Sequence, residues 1–403
     1  MKNTLFVLLL CASWSLCFCQ HTSSVTDSLT MELEQIADRG HIAGFSVAVV
    51  DQQGILYTHG FGHAHEKKQL PYTEHTIQPI ASVSKTFIGV ALLKAQELGK
   101  LKLDDPINNY ISFEVSNPYF TDHPITIRHL TTHTSGITDG SAYENYGYVL
   151  KEEDNAGKKV ENNFRSPDEM MDKTTFLKAI LTQGGKWYEE GNFLNNPPGA
   201  KFEYSNIGAG LAAVILENAT GESFDAFTKK HIFDPLQMRH TGWNTKQVDM
   251  TKHSKLYAHP KKELAAYQLV NYPDGGLITS ATDLGKYLSD LIAGYNGKGA
   301  VLTNKSYQEL FQPQLAEENF DERSEREYND EYNMGVFMGM SSKGQMGHTG
   351  GDPGVSSLLF FNTQSSLGKV LIINTSLNEE GVKEFIDVWK KLEAYEKKLK
   401  RSY

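Results

Sequence analysis

The sequence predicts an α/β fold of the α+β type, in which one antiparallel sheet is flanked by helices and interrupted by an inserted all-helical domain. Three observations carry this reading. β-prone runs lie at both ends of the chain, the long middle is mostly helical, and no internal repeat of roughly 20–50 residues runs through it. An opening helix followed by a hairpin also points to antiparallel pairing and not to a βαβ start. The 403 residues fit two or three structural units at about 100–200 residues each.

Each element has a local cause. From Ser28 to Arg39 the residues Leu29, Met31, Leu33, Ile36 and Ala37 recur at helical spacing, and Gly40 stops the run. Phe45–Val50 and Ile55–Phe61 are β-prone runs around Asp51-Gln52-Gln53-Gly54, read as a four-residue hairpin loop. Ser82 to Leu98 carries Phe87, Ile88, Ala91, Leu92 and Ala95 on a helical period, with Gly99 at the C′ position. Ile207–Glu217 is rich in Ala and Leu. Ser280-Ala281-Thr282-Asp283 has capping-box-like spacing ahead of Leu284, Tyr287, Leu288 and Leu291. Residues 141–196 are rich in Asn, Glu, Lys and Gly, with a helical piece near Thr174–Leu181, and read as a surface insertion forming a lid or rim. Val355–Asn362 and Lys369–Ile373 read as strands joined by Thr363–Gly368, and an amphipathic helix follows from about Glu380 to Lys398. The expected organisation is a discontinuous sheet domain of residues 20–78 and 305–403, with a helical domain of residues 79–304 that holds the polar insertion 141–196.

Composition narrows the function classes. Hydrophobic residues make up 39% and charged residues 22% of the chain, an ordinary globular balance that excludes disorder, collagen and coiled coil. A formal net charge of −10 argues against a sequence-independent grip on nucleic acid. Residues 1–19 read as a signal peptide, with Lys2 ahead of the apolar run Leu5–Ala12 and the polar stretch Gln20–Ser24 behind it. The protein is therefore expected to be exported, periplasmic or secreted, with no membrane span. A lipid anchor is not expected, since Leu16 precedes Cys17 and Phe18 precedes Cys19. Cys11, Cys17 and Cys19 are the three cysteines, so the processed chain would have no disulfide, thiol nucleophile or Cys-ligated zinc.

Several chemistries lack their signatures. There is no Gly-x-Ser-x-Gly, His-Glu-x-x-His or P-loop. Gly208-Ala209-Gly210-Leu211-Ala212-Ala213 fits a dinucleotide fingerprint by spacing, but the polar Phe202–Asn206 before it does not suit a buried parallel strand, so it reads as a small-residue helix face. His63-Ala64-His65 would place two imidazoles on one face of a strand and reads as exposed histidines, not a metal site.

Ser82-Val83-Ser84-Lys85 is a Ser-x-x-Lys. If Ser82 opens the helix, Lys85 lies one turn on and on the same face. A serine hydroxyl needs an adjacent base, and a lysine amine serves only if its pKa falls from about 10.4. The helix start also offers a backbone N–H to an oxyanion. By itself the motif is weak, since Ser366-Leu367-Gly368-Lys369 matches it within what reads as an inter-strand turn. Ser82 differs in its company. Downstream lie Tyr204-Ser205-Asn206, just before a small-residue helix, and His348-Thr349-Gly350-Gly351, between a Gly-rich turn and a strand.

Together these three elements resemble the active-site motifs of the serine β-lactamase-related hydrolases, which include class C β-lactamases, D-alanyl-D-alanine carboxypeptidases and family esterases. Leu130-Thr131-Thr132-His133-Thr134-Ser135-Gly136-Ile137 and Asp274-Gly275-Gly276-Leu277 add two further matches in the family's order, and the resemblance runs from about residue 28 to 375. It implies that Ser82 is the acylated nucleophile, Lys85 its activating partner and Tyr204 the phenol that relays protons. It further implies that Asn206 hydrogen-bonds the substrate amide or Lys85, and that the N–H groups of Ser82 and Gly351 form the oxyanion hole. His348 stands where many β-lactamases have Lys. A histidine near its reference pKa of about 6.5 is half-charged there, which weakens the hold on a substrate carboxylate. His133 reads as structural, and Asp283 as a helix-start carboxylate.

The resulting expectation is an exported serine hydrolase, working through an acyl-enzyme on D-Ala-type peptides or amides, with no metal or other cofactor. Its partner is a small-molecule or peptide substrate. A carboxylesterase of the same family is the alternative, and a penicillin-binding sensor without turnover is the alternative from another class.

Overall fold

In the computed structural model the described residues are 20–153, 155–321, 323 and 329–402. The expected signal peptide at 1–19 lies outside them. Among them, no helix is long and apolar enough to cross a membrane.

The N-terminal periodic run expected at Ser28–Arg39 lies in α1 (Gln20–Ala37), which starts eight residues earlier and ends two residues sooner, followed by β1 (Gly44–Asp51), β2 (Gly54–His65) and the short β3 (Leu70–Pro71). The middle of the chain supplies α2 (Ser84–Glu97), α3 (Asn206–Thr220) and α4 (Ala281–Tyr295). The chain then returns to the sheet through β4 (Asn333–Met334), β5 (Gly339–Ser341), β6 (Gln345–Asp352), β7 (Val355–Asn362) and β8 (Leu367–Ile373), and ends in α5 (Glu379–Ser402). These strands form one eight-stranded sheet in the order β4-β5-β6-β7-β8-β1-β2-β3. Each neighbouring pair is antiparallel. The two ends of the chain meet at its centre, where Phe45 of β1 lies opposite Ile373 of β8 and Phe61 of β2.

Strand alternation sorts side chains between two cores. Phe45, Val47 and Val49, with Leu371 and Ile373, join Leu29 and Leu33 of α1 and Val388 and Leu392 of α5. Ala48 and Val50, with Val370 and Ile372, join the larger core that includes Phe87, Leu284 and Leu288. Burying each Val, Leu, Ile or Phe is worth about 1.5–3 kcal/mol, so β1, buried along its whole length, is a principal anchor. A buried ion pair adds to the α5 side, where Lys369 Nζ donates to Glu396 Oε2 at 2.5 Å beside the Trp389 ring.

Three sequence expectations change here. The β1–β2 connection is tighter than a four-residue loop, because Asp51 pairs with Gly54 and only Gln52 and Gln53 turn the chain. The boundary at residue 304 does not separate α4 from the sheet: a Cβ on Gly285 of α4 would meet Ile55 and Ala48, and one on Gly368 of β8 would meet Leu288 and Ile292. The amphipathic α4 covers strands, with the helical region continuing from its other side. Residues 141–196 are also more than a rim. Tyr143, Val149, Phe176, Leu177, Ile180 and Phe193 all enter the larger core. Their polar neighbours dominate the composition and hide the buried minority.

The second Ser-x-x-Lys is inert in geometry. Ser366 sits at the β7–β8 turn and accepts from Asn296 Nδ2 at 3.1 Å, while Lys369 extends from β8 toward α5 to meet Glu396.

Candidate active site

Ser82 lies in a single 3-10 turn, Ala81–Val83, that leads directly into α2. Its neighbours hold that turn rigidly. Ile80 N–H donates to Leu277 O at 3.0 Å, and Ser357 Oγ of β7 donates to Ile80 O at 2.6 Å. Ala81 has φ +48°, in the left-handed region that costs a non-glycine residue about 1–3 kcal/mol. Buried Ile80 and Val83 on either side hold it there. Strand β6 runs hard against this turn, since a Cβ on Gly350 would lie 2.4 Å from Ile80 O. Glycine at 350 is what lets the strand bring His348 and Gly351 up to Ser82.

One helical turn after Ser82, Lys85 is fully buried. Its Nζ donates to Ser82 Oγ at 3.0 Å, to Asn206 Oδ1 at 2.6 Å and to the Asp274 carbonyl at 2.8 Å. An ammonium has three N–H donors and no acceptor, so three acceptors satisfy it. Burial works against the charge, but Tyr204, Asp274 and Asp139 outweigh it, and the Lys85 pKa is raised. The depressed pKa that a lysine base requires is not found; Lys85 is built as a cation.

Tyr204 lies just before α3, with Lys85 Nζ 5.1 Å from its ring centroid and the His348 ring centroid 6.1 Å away. Asn206 is the first residue of α3. Its amide is oriented by Asp139, whose Oδ2 accepts from Asn206 Nδ2 at 2.6 Å and from Asn206 N–H at 2.8 Å, while Oδ1 accepts from Ile207 N–H at 2.9 Å. Ser205 is the N-cap of α3, its Oγ accepting from Gly208 N–H at 2.9 Å, and the Asp139 carboxylate adds to it from outside the helix and turns Asn206 Oδ1 toward Lys85.

His348 is buried in β6, its Nδ1 2.5 Å from Thr349 O. A carbonyl only accepts, so Nδ1 carries the proton. Burial, then the Lys85 charge, lower its pKa to about 4 against the pull of that carbonyl. This corrects the sequence expectation: at neutral pH His348 is uncharged. Gly351, three residues on in β6, is exposed, with open space where a Cβ would stand.

The geometry therefore gathers Ser82, Lys85, Tyr204, Asn206 and His348, with Gly351 at the strand end beside them. Besides Asp139, it also brings in four residues to which the sequence reading gave no role. Asp274 is buried, and its Oδ2 accepts from Tyr143 Oη at 2.8 Å. Tyr148 Oη donates to Asp352 Oδ1 at 2.6 Å. Burial pushes the Asp274 carboxyl up to about 7 and that of Asp352 up to about 6, each drawn back by Lys85. The polar insertion thus supplies Tyr143 and Tyr148 to the carboxylates behind the nucleophile. Among the described residues, no group of three or more His, Cys, Asp or Glu side chains is arranged to hold a metal ion.

Comparison with known proteins settles the lineage. A family model described as Beta-lactamase matches residues 30–392. The chain belongs to the Beta-lactamase family. Protein flp of Staphylococcus aureus strain MW2 is 26% identical over 365 residues, which are 88% of this chain and 64% of that protein. The chain thus spans just under two-thirds of the length of that curated relative. Among solved structures, D-amino acid amidase from Ochrobactrum anthropi SV3, complexed with L-phenylalanine, aligns with a TM-score of 0.67 and 19% identity, over 92% of this chain and 99% of that one. A class C β-lactamase aligns with a TM-score of 0.64 and 20% identity, covering 92% and 97%. The octameric penicillin-binding protein homologue from Pyrococcus abyssi aligns with a TM-score of 0.65 and 20% identity, covering 92% and 77%. These structures share the fold, the antiparallel sheet with helices of the β-lactamase/DD-peptidase type. The Beta-lactamase family is one of serine hydrolases, and the Ser82–Lys85 contact fits that chemistry.

In this Beta-lactamase family member, Asp139 had one faint sequence signal, its place three residues after Gly136 in the His133–Ile137 match. Tyr143 and Tyr148 had none, because they lie within a stretch that composition marks as surface.

Proposed function

We propose that this protein is a serine hydrolase that forms an acyl-enzyme on Ser82, acting on D-amino-acyl amides or short D-Ala-type peptides. The observation that carries the reading is Lys85 Nζ, buried and shared between Ser82 Oγ and Asn206 Oδ1. In this reading Ser82 Oγ attacks the substrate carbonyl while the Lys85 charge stabilises the developing negative charge on the serine oxygen. Tyr204 relays the proton: its oxygen takes the Ser82 proton as its own passes to the leaving nitrogen. The N–H groups of Ser82 and Gly351 receive the oxyanion. Water then attacks the acyl group and its proton returns through Tyr204 to Ser82 Oγ.

Site charge narrows the substrate. Lys85 is the cation whose charge acts on His348, Asp274 and Asp352 alike, and His348 is neutral. Nothing at the His348 position then offers a full charge to a substrate carboxylate, which ranks D-amino-acyl amides ahead of peptides that end in a free carboxylate. The fold neighbour named a D-amino acid amidase is consistent with such a class. The same neutrality supports a second reading, a carboxylesterase. Export to the periplasm or outside belongs to this proposal too, resting on the leader-like residues 1–19. Rapid-mixing kinetics with a chromogenic D-alanyl anilide and a chromogenic ester test it. A burst followed by steady release is expected, with the better substrate deciding between amidase and esterase. A single stoichiometric burst without turnover would instead mark a penicillin-binding sensor.

A further inference from the structure

His133 makes an unusual set of contacts for a residue read as structural. It is buried, and its backbone has φ +54°, a left-handed conformation uncommon outside glycine in which asparagine, aspartate and histidine are the residues most often found. That backbone lets one residue grip both sides of Tyr204. Glu203 N–H donates to His133 O at 2.7 Å, and Ser205 N–H donates to His133 Nδ1 at 3.1 Å. Between these two bonds the Tyr204 ring lies over the imidazole, with centroids 4.4 Å apart and planes inclined by 32°. The Phe337 ring meets the same imidazole edge-on at 5.2 Å. Residues 202–205 have no helix or strand of their own, so no regular hydrogen-bond ladder holds the phenol in place.

The ring chemistry follows from these partners. Nδ1 accepts a backbone N–H, so in the neutral imidazole the proton resides on Nε2. Nε2 is buried and has no hydrogen-bond partner among the described residues. An imidazolium would set a second N–H donor at Nδ1 against the Ser205 N–H, and burial, then the Lys85 charge, hold the pKa well below the usual range.

We propose that His133 is the positioning residue for Tyr204: its carbonyl and Nδ1 fix the backbone on both sides of the tyrosine, and its neutral, Nε2-protonated ring seats the phenol. This rests on the reading that Tyr204 relays protons. The side-chain contacts of His133 among the described residues are with Ser205 N–H and the rings of Phe202, Tyr204 and Phe337, so its effect reaches the chemistry through Tyr204. Displacement of a catalytic group by about 1 Å can cost on the order of 10²-fold in rate.

Two substitutions separate the contributions. His133→Asn keeps an acceptor atom at the δ position and tolerates the left-handed backbone, whereas His133→Phe keeps a ring and loses the acceptor. In folded protein, His133→Phe is expected to lower kcat by roughly 10- to 10²-fold with KM unchanged, and His133→Asn to recover most of that loss. In a Tyr204→Phe background, His133→Phe should lower kcat no further. If Tyr204→Phe alone leaves kcat unchanged, it is the proton-relay reading that fails. If Tyr204→Phe is crippling but His133→Phe alone retains full kcat, or its loss multiplies fully in the Tyr204→Phe background, the positioning role is wrong. Should the Phe variant not fold, nitrogen NMR of the His133 ring in the unaltered protein still decides. The neutral tautomer protonated on Nε2 is expected at neutral pH, and a ring protonated on Nδ1 would overturn the proposal.

Discussion

Lys85 makes its shortest hydrogen bond with Asn206, at 2.6 Å, and a longer one, at 3.0 Å, with Ser82. The lysine therefore ties the start of α2 to the start of α3, and it does so as a cation. Removing it withdraws both the charge beside the nucleophile and the link between the two helices. Lys85→Ala is expected to reduce acylation by at least about 10²-fold, the usual scale for losing an electrostatic stabiliser, and Tyr204→Phe to reduce it comparably, the scale for general acid–base groups. Stopped-flow acylation rates on folded variants check both, and a near-normal rate in either removes that residue from the mechanism.

Asp139 should matter at two levels. Beside the Ser205 N-cap it accepts two further backbone N–H groups at the start of α3, and as the partner of Asn206 Nδ2 it sets which face of the amide meets Lys85. Asp139→Ala is expected to cost about 1–2 kcal/mol of stability from the loss of these charge-assisted bonds. It should also lower kcat/KM more than that stability loss alone explains, because a freed Asn206 amide can flip its donor toward the ammonium. Denaturant titration and kinetics on the same preparation measure the two effects. A variant with lowered stability and wild-type kcat/KM would reduce Asp139 to a stabiliser of the α3 start.

The buried His348 makes a specific pH statement. With its pKa at about 4, the ratio of kcat/KM for a carboxylate-bearing D-Ala peptide to that for a neutral ester should stay flat from about pH 5.5 to 8.5, since shared steps cancel. His348→Lys should shift the ratio toward the carboxylate. For stability, a histidine depressed in the folded state contributes fully above the unfolded value of about 6.5 and loses that contribution as pH falls toward about 4. Acidification from pH 6.5 to 5 should thus cost the natural protein about 2 kcal/mol more than it costs His348→Asn. A ratio that falls through pH 6.5, or equal acid sensitivity in both proteins, would show that His348 is charged near neutrality.

The fold was legible where the signal was local. Periodicity marked α1, α2 and α5, and β-prone runs marked the central hairpins, because each pattern is complete within one element. The pairing of Ser82 with Lys85 was likewise legible, being a single helical turn. What stayed hidden depends on contacts between distant segments. Asp139 reaches a target 67 residues away, and Tyr143 bonds Asp274 across 131 residues. The amphipathic α4 was visible as a helix, but nothing in its own sequence says that its apolar face covers strands. The charge on His348 was misjudged for the same reason: residue type sets a reference pKa, while burial depends on the whole fold.

The ion pair behind β8 offers a test of the scaffold separate from the site. Lys369 and Glu396 are both buried, so removing one partner strands the other. Glu396→Gln is expected to destabilise by about 3–5 kcal/mol, whereas Lys369→Met combined with Glu396→Leu should be close to neutral. Chemical denaturation of the three proteins measures this, and a single variant as stable as the natural protein would show that the pair does not hold α5 on the sheet.

The assignment of Ser82 as the acylated nucleophile is most directly tested by intact mass after incubation with a fluorophosphonate and, separately, with a fluorescent penicillin. One fluorophosphonate adduct per chain is expected, carried by the peptide containing Ser82, lost in Ser82→Ala and retained in Ser366→Ala, whose lysine partner is held by Glu396. The penicillin is expected to label weakly, because its carboxylate meets a neutral His348. A fluorophosphonate adduct that survives Ser82→Ala would contradict the assignment.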